Sequence, residues 1–289
     1  MNRQIHTETP ELLCIGFLCH DLHEGKKLLG GTAAYASLMA SHLGVRTALL
    51  TSVGKDFAHF ERFRKHQVDL CNVQAEQTTV FENVYTEEGR TQYMHQRAQT
   101  LYPKHLPTAW QDAPVVKFCL IADEADLSFL DCFPHALVGA TIQGWLRQWD
   151  GKGRVSPREM DWEMLRFVNV VFMSEDDIRG CESAIPRVAE LVDVLIVTRG
   201  KKSALIHHNG QVMEFPVFPT KEVDPTGAGD IFASSFLVKY HACGDILSSV
   251  AFAHAAASFV VEEQGIRIAE VAAIEKRCVD YLQSFGPRR

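Results

Sequence analysis

The sequence has 289 residues, of which 46 % are hydrophobic and 9 % aromatic, enough for a sizeable core in one large domain or two small ones. Its formal net charge of −7 argues against nucleic acid or an anionic membrane as the main partner. Its eight cysteines form no CxxC pair, its histidines show no metal-binding spacing, and it contains neither a signal-peptide core nor an apolar run of ~20 residues. We therefore expect a cytoplasmic protein with reduced thiols.

Short apolar runs alternate with helical or turn segments along most of the chain, a pattern typical of a parallel sheet covered on both faces. The predicted strands of this series lie at residues 12–19, 46–53, 115–122, 136–142, 168–173 and 194–198. Helical patterns cover residues 32–43, 56–66, the stretch that begins at 229, 245–262 and 270–283. Asp56 is expected to cap the second of these helices.

Two predicted hairpins interrupt the series. Residues 78–86 and 91–99 alternate polar with β-branched or aromatic side chains around a Glu-Glu-Gly-Arg turn, and the hairpin is too polar for core sheet. We interpret it as a flap, or lid. A second hairpin, at 203–207 and 211–218, surrounds Asn209-Gly210. The chain has no internal repeat and no linker, so we expect one α/β domain over residues 1–289.

The most informative stretch is Asp-Pro-Thr-Gly-Ala-Gly-Asp at residues 224–230. Gly227 and Gly229 let the backbone approach a ligand closely, and the free N–H groups at the start of the following helix form an anion site. Asp230 beside that site suits a base that deprotonates an acceptor while the turn holds a phosphoryl group. The alternative is an ordinary helix start in which Thr226 is the cap. The density of glycines and carboxylates favours ligand binding.

Other candidate sites are weaker when taken alone. Gly30-Gly31 is either a tight turn or a close approach to a hydroxylated substrate, whose hydroxyls Asp21 would bind. Residues 174–177, Ser-Glu-Asp-Asp, are either a capped helix start or an outer shell for Mg²⁺. Thr198 and Gly200 follow a strand and either contact nucleotide phosphates or turn the chain. His254 either packs in the core or touches a nucleotide base.

These residues, in this order, resemble the ribokinase-like (PfkB) family of small-molecule kinases over nearly the whole chain. Gly30-Gly31 followed by RTALLTSVGKD at 46–56 is similar to the N-terminal motif of the family, and VDPTGAGDIFASSF at 223–236 matches its C-terminal signature. The resemblance implies a three-layer α/β fold with a mainly parallel central sheet and a small β lid. It also implies transfer of the ATP γ-phosphoryl group to an alcohol, with ATP and Mg²⁺ as cofactors.

The resemblance also implies site residues. Asp230 is the expected catalytic base, with an anion hole at Gly227, Ala228 and Gly229. The expected substrate contacts are Asp21, Gly30, Gly31, Tyr35 and Gln143, the expected nucleotide contacts are Thr198, Gly200, Thr226, His254 and Gly265, and the expected metal-organising residues are Asp177 and Glu175.

Three features depart from the sugar-kinase pattern. Tyr35 and Ser174 each stand where the family usually has Asn. Only eight residues separate Asp21 from Gly30, which predicts a lid reduced to the hairpin at about 78–99 and without its first hairpin. The segments GFLCHD at 16–21 and IQGWLR at 142–147 are more similar to the myo-inositol kinase branch.

The sequence therefore predicts an ATP-dependent kinase of a polyol or sugar, with an inositol-like substrate as one candidate. One alternative is a nucleoside kinase of the same family. Another is a non-catalytic member that binds nucleotide or metabolite, although such a protein would not need a base at Asp230. No nucleic acid or membrane partner is expected. So short a lid leaves a face that a second subunit could cover, so a homodimer is one further expectation.

Overall fold

Apolar strands build the centre of the molecule in the computed structural model, which describes residues 8–86 and 89–285. The strands are, in chain order, β1 (Leu12–Ile15), β2 (Cys19–His23), β3 (Lys26–Gly30), β4 (Thr47–Val53), β5 (Asp69–Gln74), β6 (Thr79–Thr86), β7 (Gly89–Gln96), β8 (Val115–Cys119), β9 (Leu137–Thr141), β10 (Arg147–Trp149), β11 (Val155–Pro157), β12 (Val170–Ser174), β13 (Val194–Thr198), β14 (Ser203–His208) and β15 (Gln211–Pro216). Every residue of β1, β4 and β8 is buried, as expected of strands covered on both faces.

Nine of the described strands form one sheet in the order β15-β14-β13-β12-β9-β8-β1-β4-β5. The pairs from β13 across to β5 are parallel, whereas β14 and β15 add an antiparallel hairpin at one edge. The mainly parallel sheet and the second hairpin predicted from the sequence are confirmed. Because parallel strands end at the same edge, the loops that follow β8, β9, β12 and β13 meet there.

Helices cover one face of the sheet and short turns cover most of the other. The helices are α1 (Thr32–His42), α2 (Phe60–Lys65), α3 (Ile185–Leu191), α4 (Ala228–Cys243), α5 (Ile246–Val260) and α6 (Val271–Phe285). Helices α1, α4 and α5 pack on the first face, and 3₁₀ turns with α3 pack on the second. No helix among the described residues is long and apolar enough to span a membrane.

The predicted cap at Asp56 is wrong. Helix α2 begins only at Phe60, and the carboxylate of Asp56 instead accepts hydrogen bonds from the backbone and hydroxyl groups of Thr78, at 3.0 and 2.8 Å. Asp56 therefore ties the loop after β4 to the start of β6, because its carboxylate meets donors across the loop and none in the helix.

The lid consists of β2, β3, β6 and β7, and the prediction that its first hairpin is missing is wrong. Strands β2 and β3 form an antiparallel hairpin, and β2 also pairs in parallel with β6. The apolar run at 12–19 is thus two strands, since the chain leaves the main sheet after β1 and enters the lid at Cys19. The predicted hairpin at 78–99 is present as β6 and β7, although Glu87 and Glu88 in its turn lie outside the described residues. The expectation of a homodimer rested on a shortened lid, so that reason for it no longer holds. The homodimer stays a prediction.

A second antiparallel pair joins the lid to the body of the protein. Strands β10 and β11, here called the ribbon, lie against the edge of β7, where the amide of Met94 donates to the carbonyl of Gly153 at 2.8 Å. The ribbon therefore covers one edge of the lid and presents Arg147, its first residue, at the carboxyl edge of the main sheet.

A buried carboxylate holds the loops at that edge. Glu124 is fully buried, and its two oxygens accept hydrogen bonds from the backbone amides of Phe17, Ile121 and Ala122 at 2.7–3.0 Å. These amides belong to the segments that follow β1 and β8, so one side chain links the crossing into the lid with the floor of the loop cluster.

Replacing Glu124 by Gln is expected to lower the free energy of unfolding by ~2–4 kcal/mol, because the amide nitrogen cannot accept from a backbone N–H and leaves buried donors unsatisfied. Chemical denaturation monitored by circular dichroism measures the change. The matched control is Glu159→Gln at an exposed carboxylate, which should change the free energy little. Equal stabilities for the two variants would contradict this role of Glu124.

Candidate active site

A cavity of about 430 Å³ lies where the lid, the ribbon and the start of α4 meet over the carboxyl edge of the sheet. Residues that line it are Cys19, Asp21, Gly31, Thr32, Tyr35, Phe81, Asn83, Gln92, Ile121, Thr141, Gln143, Arg147, Phe172, Met173, Ser174, Asp176, Asp177, Thr198, Asp224, Pro225, Thr226, Gly227, Gly229 and Asp230. The structure therefore brings together ten of the sixteen site residues that were predicted from the sequence.

The turn before α4 presents free amides to this cavity. Gly227 occupies the N-cap position, and no side chain caps the helix. Thr226 is therefore not the cap, and its own amide donates to the carboxylate of Asp224 at 2.9 Å. Gly227 and Gly229 line the cavity, whereas the amide of Ala228 donates to the carbonyl of Pro225 at 3.2 Å. Ala228, predicted as part of the anion hole, is thus not brought to the cavity, because the turn uses its N–H group.

Gly227 can be no other residue without rearrangement. Its φ of 81° lies in the left-handed region, and a Cβ atom there would lie 2.1 Å from the ring of Tyr35. Tyr35 is buried in α1 and packs directly on the glycine turn. The ring of Tyr35 therefore lines the cavity beside the glycine turn and fixes the position of that turn.

Asp230 lies in the first turn of α4, at the base of the cavity. Burial raises the pKa of its carboxyl group, and the nearby charge of Asp177 acts in the same direction. The ammonium of Lys117, the hydroxyl of Thr32 and the guanidinium of Arg147 each lower this pKa. Burial and Asp177 thus raise the pKa of Asp230, while the other three groups lower it. Such opposing effects on one pKa are typical of the environment of a general base.

Asp21 reaches the cavity from the lid. Burial raises the pKa of Asp21 to about 6, and the charges of Asp230 and Asp224 contribute to the rise. Gly30 does not line the cavity, but it faces Asp21 across the β2–β3 pair, and a Cβ at Gly30 would lie 2.0 Å from the carboxylate. The first glycine is therefore needed to make room for Asp21 rather than for a substrate.

The acidic segment after β12 forms a turn and not the capped helix that was its alternative reading. One oxygen of Asp177 accepts from the amide and hydroxyl of Ser174, and the other accepts from Gln143 at 2.7 Å. Gln143, predicted as a substrate contact, thus lines the cavity and also orients Asp177. Glu175 is directed away from the cavity, because its carboxylate pairs with Lys202 at 3.2 Å.

The donor set fits Mg²⁺ only as an outer shell. No group of three or more potential metal ligands is found among the described residues. Mg²⁺ typically keeps several waters and uses one or two carboxylates together with substrate phosphates, so a closed protein cage is not required. Asp177, oriented by Ser174 and Gln143, fits that need, with Asp176 beside it in the cavity lining.

Two of the five predicted nucleotide contacts, Thr198 and Thr226, line the cavity. Gly200 and Gly265 have positive φ angles in turns outside the lining, where a Cβ would meet open space. The prediction for His254 is corrected. It is buried between α4 and α6, stacked on Tyr281 and edge-on to Phe232, and burial lowers its pKa to about 3.

Several cavity residues were not predicted from the sequence. They come from the lid (Phe81, Asn83, Gln92), from α1 (Thr32), from β9 (Thr141) and from the ribbon (Arg147). Asn83 and Gln92 are joined across the lid by a side-chain hydrogen bond of 3.0 Å. Their alternation with outward-facing residues in a polar hairpin was the one available signal that this face covers a polar ligand.

Comparison with known proteins agrees with this geometry. The model of the pfkB family of carbohydrate kinases matches residues 19–272, which include the lid, the glycine turn and Asp230. This chain belongs to the pfkB family. It is therefore a phosphotransferase of the class that acts on sugars, nucleosides or inositol.

Relatives of this pfkB kinase differ in substrate. A nucleoside kinase of Methanocaldococcus jannaschii is 28 % identical over 83 % of this chain and 81 % of its own length. An inositol 3-kinase of Oryza sativa subsp. japonica is 29 % identical over 78 % of this chain and 62 % of its own length. The solved structure of a pyrophosphate-dependent myo-inositol-1 kinase converted to a myo-inositol-3 kinase superimposes with a TM-score of 0.80, at 19 % identity, over 93 % of this chain and 99 % of that chain. The last likeness establishes the ribokinase-like fold.

Gly227→Ala is expected to lower the free energy of unfolding of this kinase by at least ~1–2 kcal/mol, the cost of a left-handed residue with a Cβ, with further loss from the collision with Tyr35. Thermal unfolding measures the change. Gly229→Ala is the matched control in the same turn, because an added Cβ there meets nothing within 4 Å. A Gly227→Ala protein as stable as Gly229→Ala would contradict the observed turn.

Asp21→Asn is expected to stabilise the protein at pH 7.5 by on the order of 1–2 kcal/mol and to leave its stability nearly unchanged near pH 3. The folded state raises the pKa of Asp21 from 3.8 to about 6, so a charged Asp21 costs stability as the pH rises through this range, and the cost is absent below it. Thermal unfolding at both pH values measures it, with the exposed Asp131→Asn as control. A gain confined to low pH would contradict the assignment.

Proposed function

We propose that this chain transfers the terminal phosphoryl group of ATP to a hydroxyl group of a small polyol or sugar, with an inositol-like acceptor favoured. The observation that supports this most strongly is the position of Asp230. It stands between the uncapped amides of the glycine turn on one side and Asp21 with the lid on the other. A base between an anion site and a hydroxyl-binding site is the arrangement that alcohol phosphorylation needs.

In the proposed reaction an acceptor hydroxyl donates its proton to Asp230 as its oxygen bonds to the terminal phosphorus. The bond between that phosphorus and the bridging oxygen of the donor breaks, and ADP leaves with the electron pair. The amides of Gly227 and Gly229 and the guanidinium of Arg147 stabilise the negative charge on the phosphoryl oxygens. Atoms and charges balance without a covalent intermediate on the protein.

The acceptor would lie under the lid. Asp21 accepts hydrogen bonds from neighbouring hydroxyls of the acceptor, while Asn83 and Gln92 offer amide donors and acceptors from the lid. Tyr35 closes the opposite wall. The polar groups of Asp21, Asn83 and Gln92 in this otherwise mixed lining could bind several hydroxyls of a polyhydroxylated ring.

The donor would lie along the edge that carries Thr198 and Thr226. Asp177, and Asp176 beside it, would hold Mg²⁺ through water, and Gln143 keeps Asp177 in place. When bound, Mg²⁺ would offset the charge of the donor phosphates and orient them. The lid would exclude water from the reacting groups and so limit hydrolysis of the donor.

A nucleoside kinase is the alternative within the same chemistry, and the 28 % identity to the nucleoside kinase of M. jannaschii supports it. The polar lid surface and the similarity to an inositol 3-kinase support the polyol. A non-catalytic member that binds nucleotide or metabolite is the alternative of another class, and the intact Asp230 argues against it.

A panel of inositols, sugars and nucleosides, each offered with ATP and separately with inorganic pyrophosphate, tests the proposal. Formation of a phosphate ester and ADP is measured by ³¹P NMR. Turnover of a polyol or sugar with ATP is the expected result. Turnover of nucleosides alone would show that the acceptor is a nucleoside and not a polyol or sugar. Turnover with pyrophosphate alone would show that pyrophosphate and not ATP is the donor. Calorimetric binding without any product would favour the non-catalytic alternative.

Asp230→Asn is expected to reduce kcat by ~10²–10⁴-fold with acceptor binding little changed, because the substitution removes the proton acceptor and keeps the shape of the side chain. Steady-state kinetics give kcat, and calorimetry gives the acceptor Kd. An Asp230→Asn protein with full turnover would end the assignment of Asp230 as base.

A further inference from the structure

Lys117 is a fully buried lysine in the middle of the main sheet. It lies in β8, between β1 and β9, and its relative exposure is 0 %. A lysine is almost never buried without a charged partner, because transferring an ammonium group out of water is costly. A lysine at this position therefore needs an explanation.

The direct contacts of Lys117 are neutral groups. Its Nζ donates to the hydroxyl of Thr141 at 3.0 Å and lies 3.7 Å from the sulfur of Cys119. Within residues 8–86 and 89–285 the structure gives it no ion pair with a carboxylate. A carboxylate that interacts with Lys117 therefore lies beyond ion-pair distance.

The sheet register places Lys117 beneath α4. Lys117 is paired with Gly139 on β9, and a Cβ at Gly139 would lie 2.4 Å from the side chain of Leu237. Leu237 is seven residues, about two turns, after Asp230 and so lies on the same side of α4. From beneath the helix the lysine side chain extends to Thr141, which lines the same cavity as Asp230.

We propose that Lys117 is a positioning residue for phosphoryl transfer: its ammonium is the buried countercharge that keeps Asp230 in its charged, proton-accepting form. The inference rests on the function proposed above and adds a residue to that site. A lysine side chain fits beneath α4 because the glycine at position 139 and the small side chain of Thr141 leave room for it.

Electrostatics supports this geometry. Lys117 is the strongest of the influences that lower the pKa of Asp230, ahead of Thr32 and Arg147, and it acts against the burial that raises this pKa. Other titratable or charged groups that interact with Asp230 come from the lid (Cys19, Asp21), from α1 (Tyr35), from β8 (Cys119), from the ribbon (Arg147) and from the turn after β12 (Asp177). Asp21 and Asp177 are the carboxylates in this set, so removing Lys117 would leave Arg147 as the one cation among these groups to offset them and Asp230.

Lys117→Met keeps the length of the side chain and removes its charge. We expect kcat/KM at pH 7 to fall by about 10–100-fold and the acid limb of the kcat/KM profile to move up by about one to two pH units. Thermal stability combines two opposite effects, the removal of a buried ammonium group and the loss of the countercharge of Asp230, so the pH profile and not the stability tests the proposal. The exposed Lys104→Met is the control and should keep the wild-type profile.

A second measurement needs no substrate, so its failure is distinguishable from failure of the proposed function. The infrared difference spectrum between the wild type and Asp230→Asn, recorded across pH, gives the ionisation midpoint of Asp230. We expect Asp230 to be ionised at pH 7.5 in the wild type, with a midpoint about one to two units higher in Lys117→Met.

A folded Lys117→Met protein with the wild-type acid limb and infrared midpoint would overturn the proposal, whether or not it is less stable. If neither Lys117→Met nor Lys117→Gln folds, the wild-type spectrum decides. An Asp230 that is protonated at pH 7.5 would then overturn the proposal, and an ionised one would support it.

Discussion

Negative charge is concentrated in the cavity at the start of α4, and cations and free amides around the cavity oppose it. Five carboxylates line one cavity, and a phosphoryl donor would bring further negative charge to it. The positive influences are the free amides and dipole of α4, the guanidinium of Arg147 and the buried ammonium of Lys117. Burial of the two carboxylates that face each other, Asp21 and Asp230, raises the pKa of both. Burying these carboxylates thus lowers the stability of the fold and at the same time assembles a reactive site.

Two glycines, one in each sequence motif, leave room for a side chain that lines the cavity. Gly30 leaves space for the Asp21 carboxylate, and Gly227 leaves space for the ring of Tyr35, so each removes a Cβ at the place where two elements touch. The ribbon pairs with the free edge of β7 and places Arg147 at the cavity. Glu124 links the loops beneath the cavity through its hydrogen bonds to backbone amides. The cavity is therefore built from seven chain segments distant in sequence, and the contacts described above hold several of them in place without a ligand.

Local chemistry was predictable from the sequence, and features set by tertiary contacts were not. Residues 224–230 and Asp21 were predicted because their residue types carry the chemistry wherever they lie. The first lid hairpin was missed because its turn is Glu24-Gly25, both at positive φ, without the Asn-Gly signal, and because an unbroken apolar run hides the end of β1. His254 was misplaced because no pattern distinguishes a packed histidine from a ligand. Lys117 was overlooked inside an apolar strand, where only the register shows what lies above it.

In the proposed reaction an acceptor hydroxyl and a phosphoryl group meet at Asp230. The most direct measurement is a crystal structure of the unmodified chain with an acceptor identified by turnover and a non-hydrolysable ATP analogue. We expect one acceptor hydroxyl at about 2.6–3.2 Å from a carboxylate oxygen of Asp230, in line with the terminal phosphorus over the amides of Gly227 and Gly229. An acceptor bound with every hydroxyl out of reach of Asp230, or a terminal phosphate held away from the glycine turn, would contradict it.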